Sequence, residues 1–249
     1  MKYDGFSKCF FWIFLSVFFL CAVAFAHETD SLFVPPKPEK PLRFCSSVKK
    51  WIDFATTDSN MVEITRLKGL RMDLRYGTFN NVTGHDLYCG VQRAFVHKDA
   101  LPKLKRAIKI MEKEMPGSVL VIFDASRPLY AQSALKRTVA GTPYSNYVSS
   151  GVTGGLHNYG LALDLSITDA EGNLLDMGTD FDSFERCAGE VGEADALQSG
   201  RLTEQQVNNR KILRSIMLRA GWVPLSSEWW HFNAYTRAYT KEHYSLFPL

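Results

Sequence analysis

The stretch HNYGLALDLSI, residues 157–167, decides how the centre of the chain folds. From Leu161 it alternates: Leu161, Leu163, Leu165 and Ile167 face one way, Ala162, Asp164 and Ser166 the other. Alternation with period two is the mark of a β-strand. Asp164 therefore stands on a small-residue face, where Gly160 and Ala162 leave room beside its carboxylate. His157 lies seven residues earlier, so an unbroken strand would place it on the opposite face. For the two side chains to converge, the backbone must turn or bulge, and Gly160 is the natural place.

Outward from this strand, SVLVIF at 118–123 is a short β-branched run that reads as a buried strand. Before it, Leu101, Leu104, Ile108, Met111 and Met115 recur at helical spacing, with Asp99 as the expected N-cap and Pro116-Gly117 as the stop. Helices are also expected from about Leu129 to Val139 and from about Glu204 to Ala220, the second closed by Gly221. EWWHF at 228–232 reads as a strand with Trp229 and His231 on one face and Trp230 and Phe232 on the other. Strands separated irregularly by helices predict an α+β domain over residues 45–249 rather than a repeating βαβ array.

The 249 residues are 46% hydrophobic, 22% charged and 13% aromatic, a composition that buries a substantial core and excludes general disorder. A net charge of +3, with no basic run, zinc knuckle or RNP-like motif, argues against nucleic acid as a partner. Residues 1–26 read as a signal peptide: Lys2 and Lys8, the apolar run Cys9 to Ala26, then Ala24-Phe25-Ala26 for cleavage. Export to a periplasmic or secreted location follows, with an uncleaved N-terminal anchor as the rival reading and no membrane partner once the leader is cut. Residues 27–44, with Val34-Pro35-Pro36-Lys37-Pro38 and Pro41, read as an extended Pro-rich linker. Cys45, Cys89 and Cys187 then remain in an oxidising compartment, enough for one disulfide whose pairing the sequence leaves open. Asn81-Val82-Thr83 fits a glycosylation sequon, which matters only on a eukaryotic secretory route.

Three segments carry chemistry. His157, Asp164 and His231 together offer two imidazoles and one carboxylate, which leaves a tetrahedral zinc ion one open position for water. Glu228, three residues before His231, is placed to take a proton from that water. In Asp124-Ala125-Ser126-Arg127-Pro128, a proline-fixed turn follows the SVLVIF strand and gives Arg127 a rigid mount. Its charge can meet an oxygen that becomes negative in a transition state, with Asp124 orienting it. Read singly, each segment also fits a bland role: an interior strand with a hydrogen-bonded histidine, or a strand-end salt bridge.

The set SRP, HNYGLALD and EWWHF, with DLRY and NNVTG upstream, resembles the D-alanyl-D-alanine dipeptidases, the VanX-type zinc dipeptidases of vancomycin resistance. The likeness runs from about Met72 to Phe232 in the family's order. It implies a small α+β domain with a central antiparallel sheet and one zinc ion per chain on His157, Asp164 and His231. It further implies Glu228 as catalytic base, Arg127 as oxyanion stabiliser and a small dipeptide as substrate. The segment Met177–Asp182 resembles the stretch whose aspartate holds the substrate amine, which points to Asp182.

Two departures stand out. The family serine two residues before the first histidine, which helps hold the substrate carboxylate, is Gly155 here. The serine-histidine-histidine run expected after the amine-binding aspartate is replaced by Arg186-Cys187-Ala188-Gly189. Metal-dependent peptide hydrolysis is therefore better supported than strict D-Ala-D-Ala specificity. A carboxypeptidase acting on longer cell-wall peptides, an iron oxygenase, and a binding module with a structural zinc, as in hedgehog-type domains, are the competing readings. Iron oxygenases place their ligands closer in sequence, and a structural site needs neither Glu228 nor Arg127.

Overall fold

The β-branched run is a strand: Leu120–Asp124 is buried at every position in the computed structural model of the protein. The structure describes residues 45–247, so the leader expected over 1–26 and the linker expected over 27–44 lie outside the described residues. The elements in chain order are α1 (Cys45–Thr57), β1 (Met61–Glu63), β2 (Leu70–Met72), β3 (Phe95–His97), α2 (Leu101–Glu114) and β4 (Leu120–Asp124). They continue as α3 (Leu129–Thr138), β5 (Ala162–Ile167), α4 (Glu190–Gln198), α5 (Glu204–Arg219), β6 (Val223–Leu225), β7 (Glu228–Asn233) and α6 (Arg237–His243). One sheet has the order β2-β4-β5-β7-β6, and β1 pairs with β3 apart from it.

This is the α+β class expected, with one correction to the sheet. β4, β5, β7 and β6 are antiparallel neighbours, but β2 runs parallel to β4 at the edge. A parallel pair needs a long crossover, and the chain between Met72 and Leu120, which contains α2, supplies it. β5 lies in the middle of the sheet, and all six of its residues are buried, so the alternation read in the sequence separates two covered faces. α2 packs against α5, with Leu104, Ala107 and Met111 of the first and Leu213, Ile216 and Met217 of the second buried.

Helix ends follow local chemistry. Thr203 and Gln206 form a reciprocal capping box on α5: the Thr203 hydroxyl accepts from the Gln206 N–H, and Gln206 Oε1 accepts from the Thr203 N–H. Gly221, at φ +92°, ends that helix in the left-handed region as expected. The cap assigned to Asp99 is not there. Ala100 is the N-cap of α2 and makes no side-chain cap. Asp99 instead accepts a hydrogen bond from the Tyr244 hydroxyl at 3.0 Å, a long-range partner invisible to local pattern.

The open cysteine question resolves to Cys45–Cys89, with Cys187 free and buried. The bridge ties the first turn of α1 to the loop before β3 across 44 residues. Closing a loop of that length in the unfolded chain is worth about 4 kcal/mol in the chain-entropy view, and measured values centre on about 2–4 kcal/mol. Cys89→Ser should therefore lower unfolding free energy by about 2–4 kcal/mol. Denaturant titration of oxidised, reduced and variant protein checks this. Equal midpoints would show that the bridge contributes nothing.

Candidate active site

β5 and β7 pair so that Asp164 sits directly across from His231, while β4 sets Asp124 across from Asp164 on the other side. Three neighbouring strands thus bring two carboxylates and an imidazole to one level of the sheet. His157 arrives from outside it. Leu156–Tyr159 is a 3-10 turn ended by Gly160 at φ +66°, the break that the sequence required there. A side chain at Gly160 would also collide with the His97 backbone nitrogen, 2.8 Å from an added Cβ. Gly160 O accepts from that same N–H, which locks the turn against β3.

The donor atoms of His157, Asp164 and His231 all lie within 4.8 Å of one another. His157 Nε2 is 3.2 Å from Asp164 Oδ2 and 3.2 Å from His231 Nδ1, and His231 Nδ1 is 2.9 Å from Asp164 Oδ1. Each ring is oriented through its other nitrogen. His157 Nδ1 donates to the Ala125 carbonyl at 2.6 Å, and His231 Nε2 donates to Asn233 Oδ1 at 2.9 Å. Such partners fix the ring tautomer and leave the facing nitrogen for a metal. The donor set is the one that suits zinc. Charge points the same way: with neutral rings, Asp124, Asp164 and Glu228 face one guanidinium, Arg127, an excess that a divalent cation balances. With the chain's own charges alone, burial opposes protonation of His231, but Asp164 outweighs it and raises the ring to about 9. Burial likewise opposes ionisation of Asp164, yet the two histidines hold its carboxyl well below the usual range.

Arg127 is buried beside this group. Its Nε donates to Asp124 at 2.8 Å, NH1 to Gln132 Oε1 at 3.0 Å and NH2 to Asp164 at 3.3 Å, and its guanidinium lies 4.8 Å from the Tyr76 ring centre. Asp124, which accepts from Arg127 Nε, also accepts from the Tyr88 hydroxyl at 2.8 Å. The arginine segment is stitched to the His157 turn: Arg127 N–H donates to His157 O, and Asn158 Nδ2 donates to Arg127 O. Side chain and mount are therefore held together with the metal group.

His157, Asp164, His231 and Arg127 face a cavity of about 520 Å³, which Glu228 and Asp182 also line. Glu228 Oε2 lies 3.8 Å from His231 Nδ1. Regular alternation would turn Glu228 to the other side of β7. The register breaks here, because consecutive residues Pro224 and Leu225 of β6 pair with Phe232 and Glu228. That irregularity is where Glu228 comes round to the histidine. Burial raises its carboxyl above the ordinary value. Asp182 is held at φ +63°, rare for a residue with a side chain, and accepts from the Tyr76 hydroxyl at 2.9 Å and the Val82 N–H at 3.1 Å. Burial pushes its carboxyl up to about 7. Asn81, read as a sequon, organises the loop that presents Val82: its amide donates to the carbonyls of Arg75, Thr78 and His85. Tyr76, Tyr88 and Gln132 carry no signal in residue type or spacing, and they support the site through Asp182, Asp124 and Arg127.

A family model described as D-ala-D-ala dipeptidase (Peptidase M15) matches residues 59–248. The chain belongs to this family of metallopeptidases. It is 37% identical over 163 residues to the D-alanyl-D-alanine dipeptidase of Escherichia coli (strain K12), a match covering 66% of this chain and 78% of that protein. The D-alanyl-D-alanine dipeptidase of Enterococcus faecium is 27% identical over 199 residues, covering 73% and 93%. That of Enterococcus faecalis (strain ATCC 700802 / V583) is 25% identical over 203 residues, covering 72% and 93%. The two places read above as departures from the dipeptidase pattern each put a residue on the cavity. Gly155 lines it, and Arg186 does too, ion-paired to Asp195 at 2.8 Å beside the buried Cys187.

Proposed function

We propose that this chain is an exported dipeptidase that hydrolyses D-alanyl-D-alanine, or a closely related free D,D-dipeptide, with one zinc ion on His157, Asp164 and His231. The observation that carries the proposal is the convergence of His157 Nε2, His231 Nδ1 and the Asp164 carboxylate at a cavity that also holds Glu228 and Asp182. Bound zinc supplies Lewis acidity toward the scissile carbonyl and makes water a better nucleophile at neutral pH. Glu228 takes the proton from the attacking water and delivers it to the departing amine. A carboxyl raised by burial suits both transfers. Arg127 offers five N–H donors and uses three of them on Asp124, Gln132 and Asp164, which leaves donors for the oxyanion that forms at the carbonyl. Asp182 pairs with the substrate ammonium. Placement outside the cytosol is part of the proposal, supported by the leader-like residues 1–26 and by the Cys45–Cys89 bridge.

The test uses a peptide panel with and without chelator. D-Ala-D-Ala should be cleaved in a chelator-sensitive way and N-acetyl-D-Ala-D-Ala essentially spared, because acylation removes the charge that Asp182 recognises. Equal cleavage of both would instead support the carboxypeptidase reading. Acidity gives a second check on the same contact. Asp182 attracts the ammonium only as a carboxylate, and protonation sets in as pH falls through about 7. KM for the free dipeptide should therefore rise toward acid, and kcat/KM should show an acid limb at or below pH 7 that Asp182→Asn moves to lower pH, leaving the part set by the Glu228 base. A limb unchanged in that variant would remove Asp182 from amine binding.

A further inference from the structure

Three arginines line the cavity: Arg127, Arg186 and Arg237. Arg127 is ion-paired with Asp124 and Asp164, and Arg186 with Asp195. Arg237, the first residue of α6, is exposed and has no carboxylate within ion-pair distance among the described residues. Its hydrogen bonds go instead to Ser149 Oγ at 3.2 Å and to the Gly154 carbonyl at 3.4 Å. Ser149 also lines the cavity and is anchored to the reaction centre. Gln132 Nε2 donates to the Ser149 carbonyl at 2.8 Å, while Gln132 Oε1 accepts from Arg127 NH1 at 3.0 Å. One buried amide thus links the arginine beside Asp164 to this serine. Gly155 fits the same arrangement. A Cβ there would lie 3.3 Å from Ser149 Oγ, so the hydroxyl already occupies the space beside Gly155 into which a longer residue would grow.

We propose that Arg237 and the Ser149 hydroxyl hold the C-terminal carboxylate of the peptide substrate. This deepens the dipeptidase reading and rests on it. A zwitterionic dipeptide brings one charge of each sign into the cavity. Asp182 meets the positive one, and Arg237 is the lining cation that no acid among the described residues neutralises. A guanidinium with donors to spare, next to a hydroxyl that donates to the carboxylate while accepting from the arginine, matches carboxylate geometry. Gly155 therefore marks a relocated carboxylate contact rather than a lost one. Selection for a free C-terminus is kept, in contrast to the looser selection that a missing serine alone would imply.

The experiment compares D-Ala-D-Ala with D-Ala-D-Ala amide, which keeps the ammonium and loses the carboxylate. The unsubstituted enzyme should favour the acid. Arg237→Ala should raise KM for the acid by roughly 10- to 150-fold, the span for a hydrogen bond to a charged group, with little change in kcat or in the amide. Ser149→Ala should shift the same ratio less, and Arg237→Lys should restore part of it. Calorimetric titration of zinc-loaded Glu228→Gln protein, with and without Arg237→Ala, reads the acid-to-amide ratio without turnover. An acid-to-amide ratio that Arg237→Ala leaves unchanged in both assays overturns the proposal, as does equal binding of acid and amide before substitution. If no peptide is hydrolysed, the dipeptidase reading falls, while the titration still decides the clamp: a ratio lost with Arg237 upholds it, and absent binding of the acid overturns it.

Discussion

Glu228→Gln is expected to keep its zinc and lose roughly 100- to 10,000-fold in kcat, the usual span for removing a general base. Glutamine preserves the size and polarity of the side chain but cannot accept the proton. The carboxylate stands 3.8 Å from His231 Nδ1, beyond the 2.9 Å and 3.2 Å that join Asp164 to the two histidines. It is beside the metal group rather than part of it. Elemental analysis alongside steady-state kinetics separates the alternatives. Retained zinc with lost turnover identifies a base. Zinc and activity lost together would move Glu228 into the coordination set.

Why Glu228 reaches His231 could not be read from residue order. The alternation in EWWHF puts Glu228 and His231 on opposite faces, and only the shifted pairing of Glu228 with Leu225 of β6 undoes it. Asp164 and His157 were more legible. The 161–167 alternation gave the face of Asp164, and the need for both side chains to converge gave the break at Gly160, which the φ of +66° fulfils. Local pattern also yielded α5 with its glycine stop and the β4 strand, since each depends on neighbours in sequence. It failed where the deciding partner was distant. Asp99 spends its carboxylate on Tyr244, and β2 joins the sheet through a crossover that short apolar runs do not announce. Cys45 found Cys89 for the same kind of reason: three cysteines are compatible with any pairing until α1 is placed against the loop before β3. Tyr76 and Gln132 belong here too, because what they do is set by Asp182, Arg127 and Ser149.

Chelation should destabilise the enzyme as well as silence it, and ligand substitutions should erase both effects together. Without a cation, Asp124 and Asp164 face each other across paired strands, and Arg127 with the two histidines supplies the countercharge. A metal that binds only the folded state adds RT ln(1 + [L]/Kd), or about 4 kcal/mol at a thousandfold excess over Kd. Removing zinc from the unsubstituted chain should accordingly lower Tm by several degrees and abolish turnover, with both restored on adding zinc back. His157→Ala, Asp164→Ala and His231→Ala should each purify without the ion and show no further Tm change with chelator. Asp164→Ala should suffer most, because it also strips Arg127 NH2 and both imidazoles of a buried acceptor. Turnover and Tm measured across chelator and zinc titrations, with metal content on the same samples, test the whole set. Full zinc occupancy in any of the three variants would place the metal elsewhere, and with it the reaction proposed for Glu228, Arg127 and Asp182.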